Sequence, residues 1–402
     1  MQSARPFWTL AIAGAAILAV TMGIRQSLGL FVSPLNTATG LGIVTVSFTL
    51  AVGQFVWGAA QPVFGAIADR VGPVRVMMAG GLLLAIGLAA TPFMGSSLGL
   101  VFFLGVVTAA GAGAGSFSIL MGAAANRMPP ERRAFASGFI NAGGSFGQFV
   151  FAPLSQALIA TVGWIAALWA LAAAALATIP MSVAFRERHG EAHHGAHAAG
   201  LTLTGQIAQA FRDPSYWCLH AGFFTCGFHI AFLVTHLPGE VTLCGLPASV
   251  SAVSLAIIGL ANIAGSLGAG WLAQTQRMKW ILFWMYGTRA IAVAVYLLLP
   301  KTTATFYAFA AVLGLTWLAT VPPTAGLVGK LFGTRFLATL FGLTLLSHQI
   351  GGFFGAWLGG LAIQRTGNYN WMWYADMALA AAAAVVNLPI REAIPQPVAK
   401  AA

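Results

Sequence analysis

Long apolar runs recur along the whole chain, separated by short segments rich in glycine, proline or charge. An α-helix needs about 20 predominantly apolar residues to cross a bilayer. Twelve runs reach that length, and we name them span 1 to span 12 in chain order. They cover residues 7–32, 45–68, 76–94, 98–121, 134–161, 163–185, 214–237, 248–273, 279–300, 304–328, 335–363 and 371–390. The pattern predicts an all-α polytopic membrane protein with 12 transmembrane helices.

Composition supports this class and excludes others. Only 7% of the 402 residues are charged and 59% are hydrophobic, whereas an ordinary soluble domain has roughly 25% charged residues. A soluble enzyme, a disordered protein and a nucleic-acid-binding protein are therefore excluded, although the formal charge is +11. The three cysteines, Cys218, Cys226 and Cys244, lie in or beside apolar runs without CxxC spacing, so we expect neither disulfides nor a zinc site.

The distribution of Lys and Arg predicts the orientation of the chain. Twelve spans place both termini on one side. If that side is inside, fifteen of the 19 Lys and Arg fall in inner segments, and only Lys301 and Arg365 fall in outer loops. Inner loops are enriched in these residues, so we expect cytoplasmic termini, in a bacterial inner membrane. Span 1 exceeds the apolar segment of a signal peptide, about 7–15 residues, and we expect it to be retained.

The longest polar interval divides the spans into six and six. We predict an N-terminal bundle over residues 1–185, a cytoplasmic His-rich linker over 186–212 and a C-terminal bundle over 213–402. Short matches connect the two halves at similar offsets: Arg25 with His229, 65–75 with 270–279, and 133–139 with 335–341. Repeated halves are typical of carriers whose site lies between them near the membrane midplane.

One loop carries a specific resemblance. Gly65 to Arg75 reads Gly-Ala-Ile-Ala-Asp-Arg-Val-Gly-Pro-Val-Arg and resembles the loop motif of the major facilitator superfamily, in the same place after span 2. In the second half Gln274 takes the place of the acid. The resemblance implies two pseudo-symmetric six-helix bundles and secondary transport by alternating access. It also implies that spans 1, 4, 7 and 10 line the cavity and that spans 2, 5, 8 and 11 border it.

A narrower resemblance concerns one branch of that superfamily. Gly111-Ala-Gly-Ala-Gly115 in span 4, the segment from Arg127 to Gly138, and Arg25 to Pro34 in span 1 resemble the monocarboxylate and oxalate–formate porters. The branch implies a small carboxylate as substrate. It usually has a carboxylate-binding arginine in span 8, whereas Gly259 to Gly268 of this sequence contains no charge.

Ionisable residues within spans are functional candidates, because a charge at the bilayer centre costs about 2.5–3.5 kcal/mol on insertion scales. They are Arg25, His229, His236, Arg289, His348 and Asp376. Arg25 is the first candidate for an anion anchor, since a guanidinium binds a carboxylate through two parallel hydrogen bonds. His229 at the repeat position could complete a clamp or bind a coupling proton. Each could instead be a hydrogen-bonded structural residue.

Other candidates have weaker individual signals. His236 lies one turn from the outer end of span 7 and could act as a gate. Arg289 in span 9 could contact substrate or pair structurally with Asp376, the only acid we expect within a span. Polar residues at helical spacing could contact substrate or join helices, at about 0.6 kcal/mol each. These are Gln54, Asn141, Gln148, Asn262 and Gln349.

The loop motif predicts a gate made of Asp69, Arg70 and Arg75, in which charge pairs stabilise one state and break in the other. The alternative is a loop that only fixes topology. The run His193-His194-Gly-Ala-His197 could bind a metal, but it has no cysteine and is expected to be a solvated linker. We predict no metal site and no cofactor. The motif GxxxxGK[ST] is missing, so a gradient or exchange must drive transport.

The sequence therefore predicts a monomeric secondary transporter of a small organic anion, a monocarboxylate by its resemblance, coupled to protons or working by exchange. Basic residues without opposing acids favour an anion in a low-dielectric cavity. One alternative is an exporter of lipophilic or neutral compounds, which 28 Phe and 12 Trp would suit. A second alternative is a sensor or assembly protein that uses the same fold without transport.

Overall fold

All twelve predicted spans are helical in a computed structural model that describes residues 5–125, 130–186, 202–333 and 336–392. Most form single helices, whereas span 1, span 4 and span 10 are interrupted. The uninterrupted spans are span 2 (Ile43–Val71), span 3 (Pro73–Ala90), span 7 (Pro214–Leu243), span 8 (Ala248–Leu272), span 9 (Met278–Leu298), span 11 (Leu337–Thr366) and span 12 (Asn370–Val386). Spans 5 and 6 share Pro130–Leu176, and span 6 continues through Thr178–Ser182 and Val183–Phe185.

The interrupted spans change helix type or lose helical geometry part-way along their length. Their pieces are Arg5–Ser27, Leu28–Phe31 and Val32–Thr39 in span 1, Ser97–Leu100, Val101–Val107, Thr108–Ala114 and Phe117–Ala125 in span 4, and Thr303–Thr316 and Val321–Phe332 in span 10. The middle piece of span 1 is a 3₁₀ turn, and Val101–Val107 in span 4 is a π-helix. Span 10 was predicted as continuous, and its break between residues 316 and 321 is a correction.

Two glycines make the turns that separate adjacent spans. Gly72 ends span 2 with φ = +90° and is followed by Pro73 at the first position of span 3. Gly163 has φ = +83° and separates spans 5 and 6 within one continuous helical segment. Side chains other than glycine rarely adopt this backbone region. The glycine in the loop motif is therefore explained by the geometry of the turn.

Nine helical segments of the described chain are long and apolar enough to cross a membrane. One of them, Gly138–Phe185, contains both span 5 and span 6. Span 12 has only 17 residues and span 11 is rich in glycine and polar residues, so these two lie outside that group and complete the set of twelve.

The packing of the helices follows a pseudo-twofold symmetry. Span 1 packs on span 5 as span 7 packs on span 11, span 2 on span 4 as span 8 on span 10, and span 3 on span 6 as span 9 on span 12. Between the halves, span 2 meets span 11 and span 5 meets span 8, which is also a symmetric pair. The fold is therefore two related six-helix bundles, as predicted.

The two halves are closed against each other at one end of the bundle. We call the end with Gly40, Gly163, Gly245 and Gly367 the distal face and the opposite end, where the described chain begins at Arg5 and ends at Glu392, the terminal face. At the distal face Gly29 abuts the Val234 carbonyl so closely that an added Cβ would overlap it. Phe48 of span 2 also packs edge-on against Phe353 and Trp357 of span 11, at 5.9 Å between ring centroids.

The segment after span 12 joins helix ends at the terminal face. Both carboxylate oxygens of Glu392 accept hydrogen bonds from the free backbone N–H groups that start span 9, those of Met278 (3.1 Å) and Lys279 (3.0 Å). Lys330, at the end of span 10, donates to the same carboxylate at 2.9 Å. A carboxylate at a helix N-terminus is favoured by the helix dipole, so Glu392 holds spans 9, 10 and 12 together.

Glu392→Gln is expected to destabilise the protein by about 1–2 kcal/mol, because the amide keeps only one acceptor and loses the charge that strengthens these bonds. Thermal unfolding of the purified protein in detergent measures the effect as a lower midpoint. The matched control is Arg391→Gln, which removes a neighbouring ion pair whose arginine side chain is 72% exposed and should shift the midpoint little. Equal midpoints for the two variants would contradict the prediction.

Candidate functional site

Arg25 lies where span 1 changes from an α-helix into a 3₁₀ turn. Its side chain is half-buried, its Nη2 donates to the Gln54 side-chain oxygen, and its guanidinium lies 4.2 Å from the centroid of the Trp57 ring. No acidic side chain pairs with it in the described part of the chain. Both contacts are therefore neutral, and the arginine carries a charge without a counterion.

A narrow cavity adjoins the guanidinium. Its volume of about 30 Å³ has room for one or two water molecules. The lining comes from spans 1, 2, 3, 4 and 7, so both halves contribute. It consists of Ile24, Arg25, Leu28, Gly29, Leu50, Gly53, Gln54, Leu84, Leu104, Thr108, Ala109, Ala112, Val234 and Thr235. Arg25 is the only charged group in this otherwise neutral lining.

His229 points into the C-terminal half instead of toward this cavity. It is fully buried, and its Nδ1 lies 2.5 Å from the Oδ2 of Asp376 in span 12. Its ring meets Trp317 edge-on, with 5.8 Å between centroids. Asp376 thus pairs with His229 and not with Arg289, the partner that the sequence suggested. Arg25 and His229 belong to two separate polar groups.

Arg289 and Asn262 satisfy the backbone at the break in span 10. Arg289 is buried and donates to the Thr316 and Trp317 carbonyls, which end the first piece of the helix. Asn262 of span 8 accepts the Leu318 N–H at 2.8 Å and donates to Ser145 of span 5 at 2.8 Å. An interrupted helix is tolerated at membrane depth where neighbouring groups satisfy its backbone. The structure therefore places both residues at the break.

His348 and Gln349 lie at the interface between the bundles. The Gln349 Nε2 and His348 Nδ1 atoms are 3.1 Å apart, and Gln349 packs on Gly58 of span 2 so closely that an added Cβ would overlap it. His348 contacts the buried thiol of Cys226, which is also beside Arg289. These contacts form a chain of polar groups from the interface to the break in span 10.

The remaining predicted residues, His236, Gln148 and Asn141, do not line the Arg25 cavity. His236 is buried, its Nε2 donates to the Ala356 carbonyl at 2.7 Å, and Tyr369 is 3.4 Å from its other ring nitrogen. Both of its nitrogens have partners, so it joins span 7 to span 11. Gln148 is buried against Gly259 of span 8, and Asn141 is half-buried in span 5.

Only part of the predicted gate falls within the described residues. Asp69 and Arg70 lie near the end of span 2, but their side chains are outside the described part of the chain. Arg75 is exposed at the start of span 3. The His-rich run lies in residues 187–201, which are also outside it, whereas Leu203–Phe211 at the end of the predicted linker forms a short helix. Across the described residues, no three His, Cys, Asp or Glu side chains cluster to hold a metal ion.

Two buried ionisable residues of span 7 escaped the sequence reasoning. Glu240 lies within span 7, because the helix runs to Leu243 instead of ending near 237, and it accepts the Tyr296 hydroxyl at 2.7 Å. Asp376 is therefore not the only acid within a span. His220 lies earlier in span 7 and meets the Ser347 hydroxyl at 2.6 Å. A count of every histidine within the span would have found it.

Glu240 has a basic neighbour outside the spans. Lys301, in the loop after span 9, lies 3.7 Å above the Tyr296 ring and donates to the Tyr296 carbonyl. Burial lowers the pKa of the Lys301 amine, and the Glu240 carboxylate acts in the opposite direction. Glu240, Tyr296 and Lys301 all lie at the distal face.

The two related six-helix bundles agree with the family comparison. The model of the Major Facilitator Superfamily matches residues 9–356. The chain belongs to this superfamily. It is thus a member of a family of transporters and not of enzymes.

Relatives within the superfamily match the branch that the sequence resembles. The oxalate:formate antiporter of Oxalobacter formigenes is 24% identical over 370 residues, covering 90% of this chain and 86% of that relative. Monocarboxylate transporter 13 of Rattus norvegicus is 26% identical over 369 residues, covering 90% and 84%. The crystal structure of a D-xylose-proton symporter matches with a TM-score of 0.76 at 13% identity, covering 96% of this chain and 98% of that one. That likeness shows the fold alone.

Proposed function

We propose that this superfamily member carries a small carboxylate, in particular a monocarboxylate, by alternating access between its two bundles. The observation that carries the proposal is Arg25, a guanidinium on the cavity wall whose partners, Gln54 and Trp57, are both neutral. The names of the two relatives, an oxalate:formate antiporter and a monocarboxylate transporter, support the same class of substrate.

The charge of Arg25 explains why an anion is favoured. A charge within the membrane costs free energy unless it is paired, and a neutral amide compensates it only in part. A carboxylate that enters the cavity replaces the Gln54 oxygen with two parallel charge-assisted hydrogen bonds. Removal of water from the narrow cavity strengthens this interaction. The cavity must widen for this, and movement of the two halves provides the space.

The contact between the bundles at the distal face supports the alternating-access part of the proposal. Val234 and Thr235 of span 7 close over the cavity from the C-terminal bundle, and Gly29 packs directly against the Val234 backbone. Separation of the bundles at this face opens the Arg25 cavity to the distal side. We propose cytoplasmic termini in a bacterial inner membrane, a monomeric carrier, and the bundle and linker boundaries given above, with proton coupling or anion exchange as the source of energy.

Uptake by proteoliposomes tests this function. Labelled lactate, formate and oxalate are added to liposomes with and without an inward proton gradient, and also to liposomes preloaded with the same anion. We expect saturable uptake of at least one carboxylate, stimulated by the gradient or by preloading. No carboxylate uptake under any condition, combined with clearance of a neutral dye, would overturn the proposal and identify an exporter of neutral compounds.

A further inference from the structure

The His229–Asp376 pair has no part in the Arg25 cavity, and packing alone does not explain it. Both side chains are fully buried and 2.5 Å apart. The second ring nitrogen of His229 and the second oxygen of Asp376 have no hydrogen-bond partner among the described residues. A buried pair with unsatisfied atoms contributes little to the stability of the folded protein, because the cost of desolvation offsets the attraction between its members.

The surroundings of the pair come from span 7 itself and from three other elements, spans 9, 10 and 11. Span 10 presents Trp317, which does not titrate, against the His229 ring. Cys226 on span 7 and Arg289 on span 9 both meet the Trp317 carbonyl, and Tyr286 on span 9 and His348 on span 11 lie beside that cysteine. Tyr296 on span 9 contacts Trp373, one turn from Asp376, and binds Glu240, about three turns beyond His229 along span 7. Arg289 donates to the backbone of the same Trp317, so its positive charge and the pair meet at one residue.

We propose that the His229–Asp376 pair binds the proton that is coupled to carboxylate transport. The assignment rests on the proposed function and specifies its coupling ion. In one state neutral His229 donates its Nδ1–H to the Asp376 carboxylate, and the pair carries one negative charge. A hydronium ion then transfers a proton to Nε2: the N–H bond forms as an O–H bond breaks, a neutral water molecule is released, and the pair becomes neutral. The same proton leaves to water on the other side of the membrane.

Charge balance explains why proton and anion bind together. With the pair unprotonated, two guanidinium groups (Arg25 and Arg289) and one carboxylate (Asp376) leave the core with one net positive charge. Glu240 and Lys301 offset each other at the distal face. A proton on His229 raises the net charge to two, and a carboxylate at Arg25 returns it to one. Each ligand therefore favours the other, and this effect is reciprocal.

The interrupted span 10 provides the mechanical link. His229 contacts Trp317, and the Trp317 and Thr316 carbonyls are held by Arg289. Loss of the pair's negative charge changes the electrostatic field at Arg289. It therefore changes the strength of the hydrogen bonds that Arg289 donates to the end of the helix. The break is thus an element with two arrangements that the proton biases.

The test separates exchange from net transport in proteoliposomes, with the most rapidly exchanged of lactate, formate and oxalate as the probe. Exchange at equal pH needs no release of the proton, whereas gradient-driven accumulation does. Asp376→Asn keeps the shape and removes the charge. We expect its exchange rate to stay within about threefold of the original and its gradient-driven accumulation to fall about tenfold or more. Proton movement on addition of the anion, read with a trapped pH dye, should also be lost.

His229→Gln is the second variant, in case Asp376→Asn does not fold. His220→Gln is the matched control, because His220 is another buried histidine of span 7, with a neutral serine as partner. It should keep gradient-driven accumulation. Full accumulation and proton movement in a folded Asp376→Asn or His229→Gln carrier would overturn the assignment. Exchange by the original protein without stimulation by the proton gradient would also overturn it. In both cases the proposal of carboxylate transport would remain valid. Absence of all carboxylate transport would overturn the proposed function and this assignment together.

Discussion

Substitution of Arg25 by lysine is expected to lower the initial rate of carboxylate uptake about tenfold, and substitution by glutamine about a hundredfold. Lysine keeps the positive charge but loses the planar pair of donors that fits a carboxylate. Its amine would also lose the contact of the guanidinium with the Trp57 ring. Glutamine removes the charge, so the anion would enter a cavity with no compensating group.

Uptake rates measured over a range of substrate concentrations show where the loss arises. Because Arg25 binds substrate in the ground state, we expect the lysine variant to show a larger increase in KM than decrease in maximal rate. Arg365→Gln is the matched control, since Arg365 is an exposed arginine at the distal end of span 11. Wild-type rates for both Arg25→Lys and Arg25→Gln would show that the carboxylate binds elsewhere.

A methyl group at Gly29 is expected to prevent closure of the distal face. Gly29 lies in the 3₁₀ turn of span 1, and an added Cβ would overlap the backbone of Val234 and approach Thr235 of span 7. Backbone atoms cannot move aside as a flexible side chain can, so overpacking here costs about 1–3 kcal/mol. Opening the face relieves that strain. Gly29→Ala should therefore populate a distal-open state and slow transport about tenfold or more.

Spin labels measure this opening directly. With Thr37→Cys and Thr242→Cys in a background without the native cysteines, the label distance across the distal face should increase in Gly29→Ala. Gly287→Ala is the matched control, because an added Cβ at Gly287 has no atom within 4 Å; the distances and uptake should match those of the parent. A parental distance distribution in Gly29→Ala, with unchanged uptake, would show that the contact does not limit closure.

The number of helices and their division into two related halves could be predicted from the sequence, because the lengths of the apolar runs and the repeated positions indicate both. The matched positions at offsets near 204 predicted the symmetry that the packing of span 1 on span 5 and span 7 on span 11 displays. The position of Arg25 on the wall of a cavity could also be predicted, since an arginine so deep in an apolar run has few structural reasons to be there. Its neutral partners, Gln54 and Trp57, could not, because they depend on the rotation of span 2.

The hydrophobic pattern did not predict the direction in which each side chain points. His229 occupies the repeat position of Arg25, yet it faces Asp376 inside the C-terminal bundle. The break in span 10 was missed because hydropathy does not register a lost hydrogen bond. Pro322 and Pro323, in the first turn of Val321–Phe332, were the available signal, since proline favours the start of a helix. Once the break is known, Arg289 and Asn262 are explained by the groups they satisfy.

The break in span 10 has a consequence for the biogenesis of the protein. Its free carbonyl and amide groups would be costly in lipid without partners. Asn262 and Arg289, which satisfy them, lie in spans 8 and 9 and leave the ribosome before Trp317 does. Span 10 therefore enters a membrane that already holds its hydrogen-bonding partners, and the order of synthesis protects the least regular helix of the C-terminal bundle from exposure to lipid.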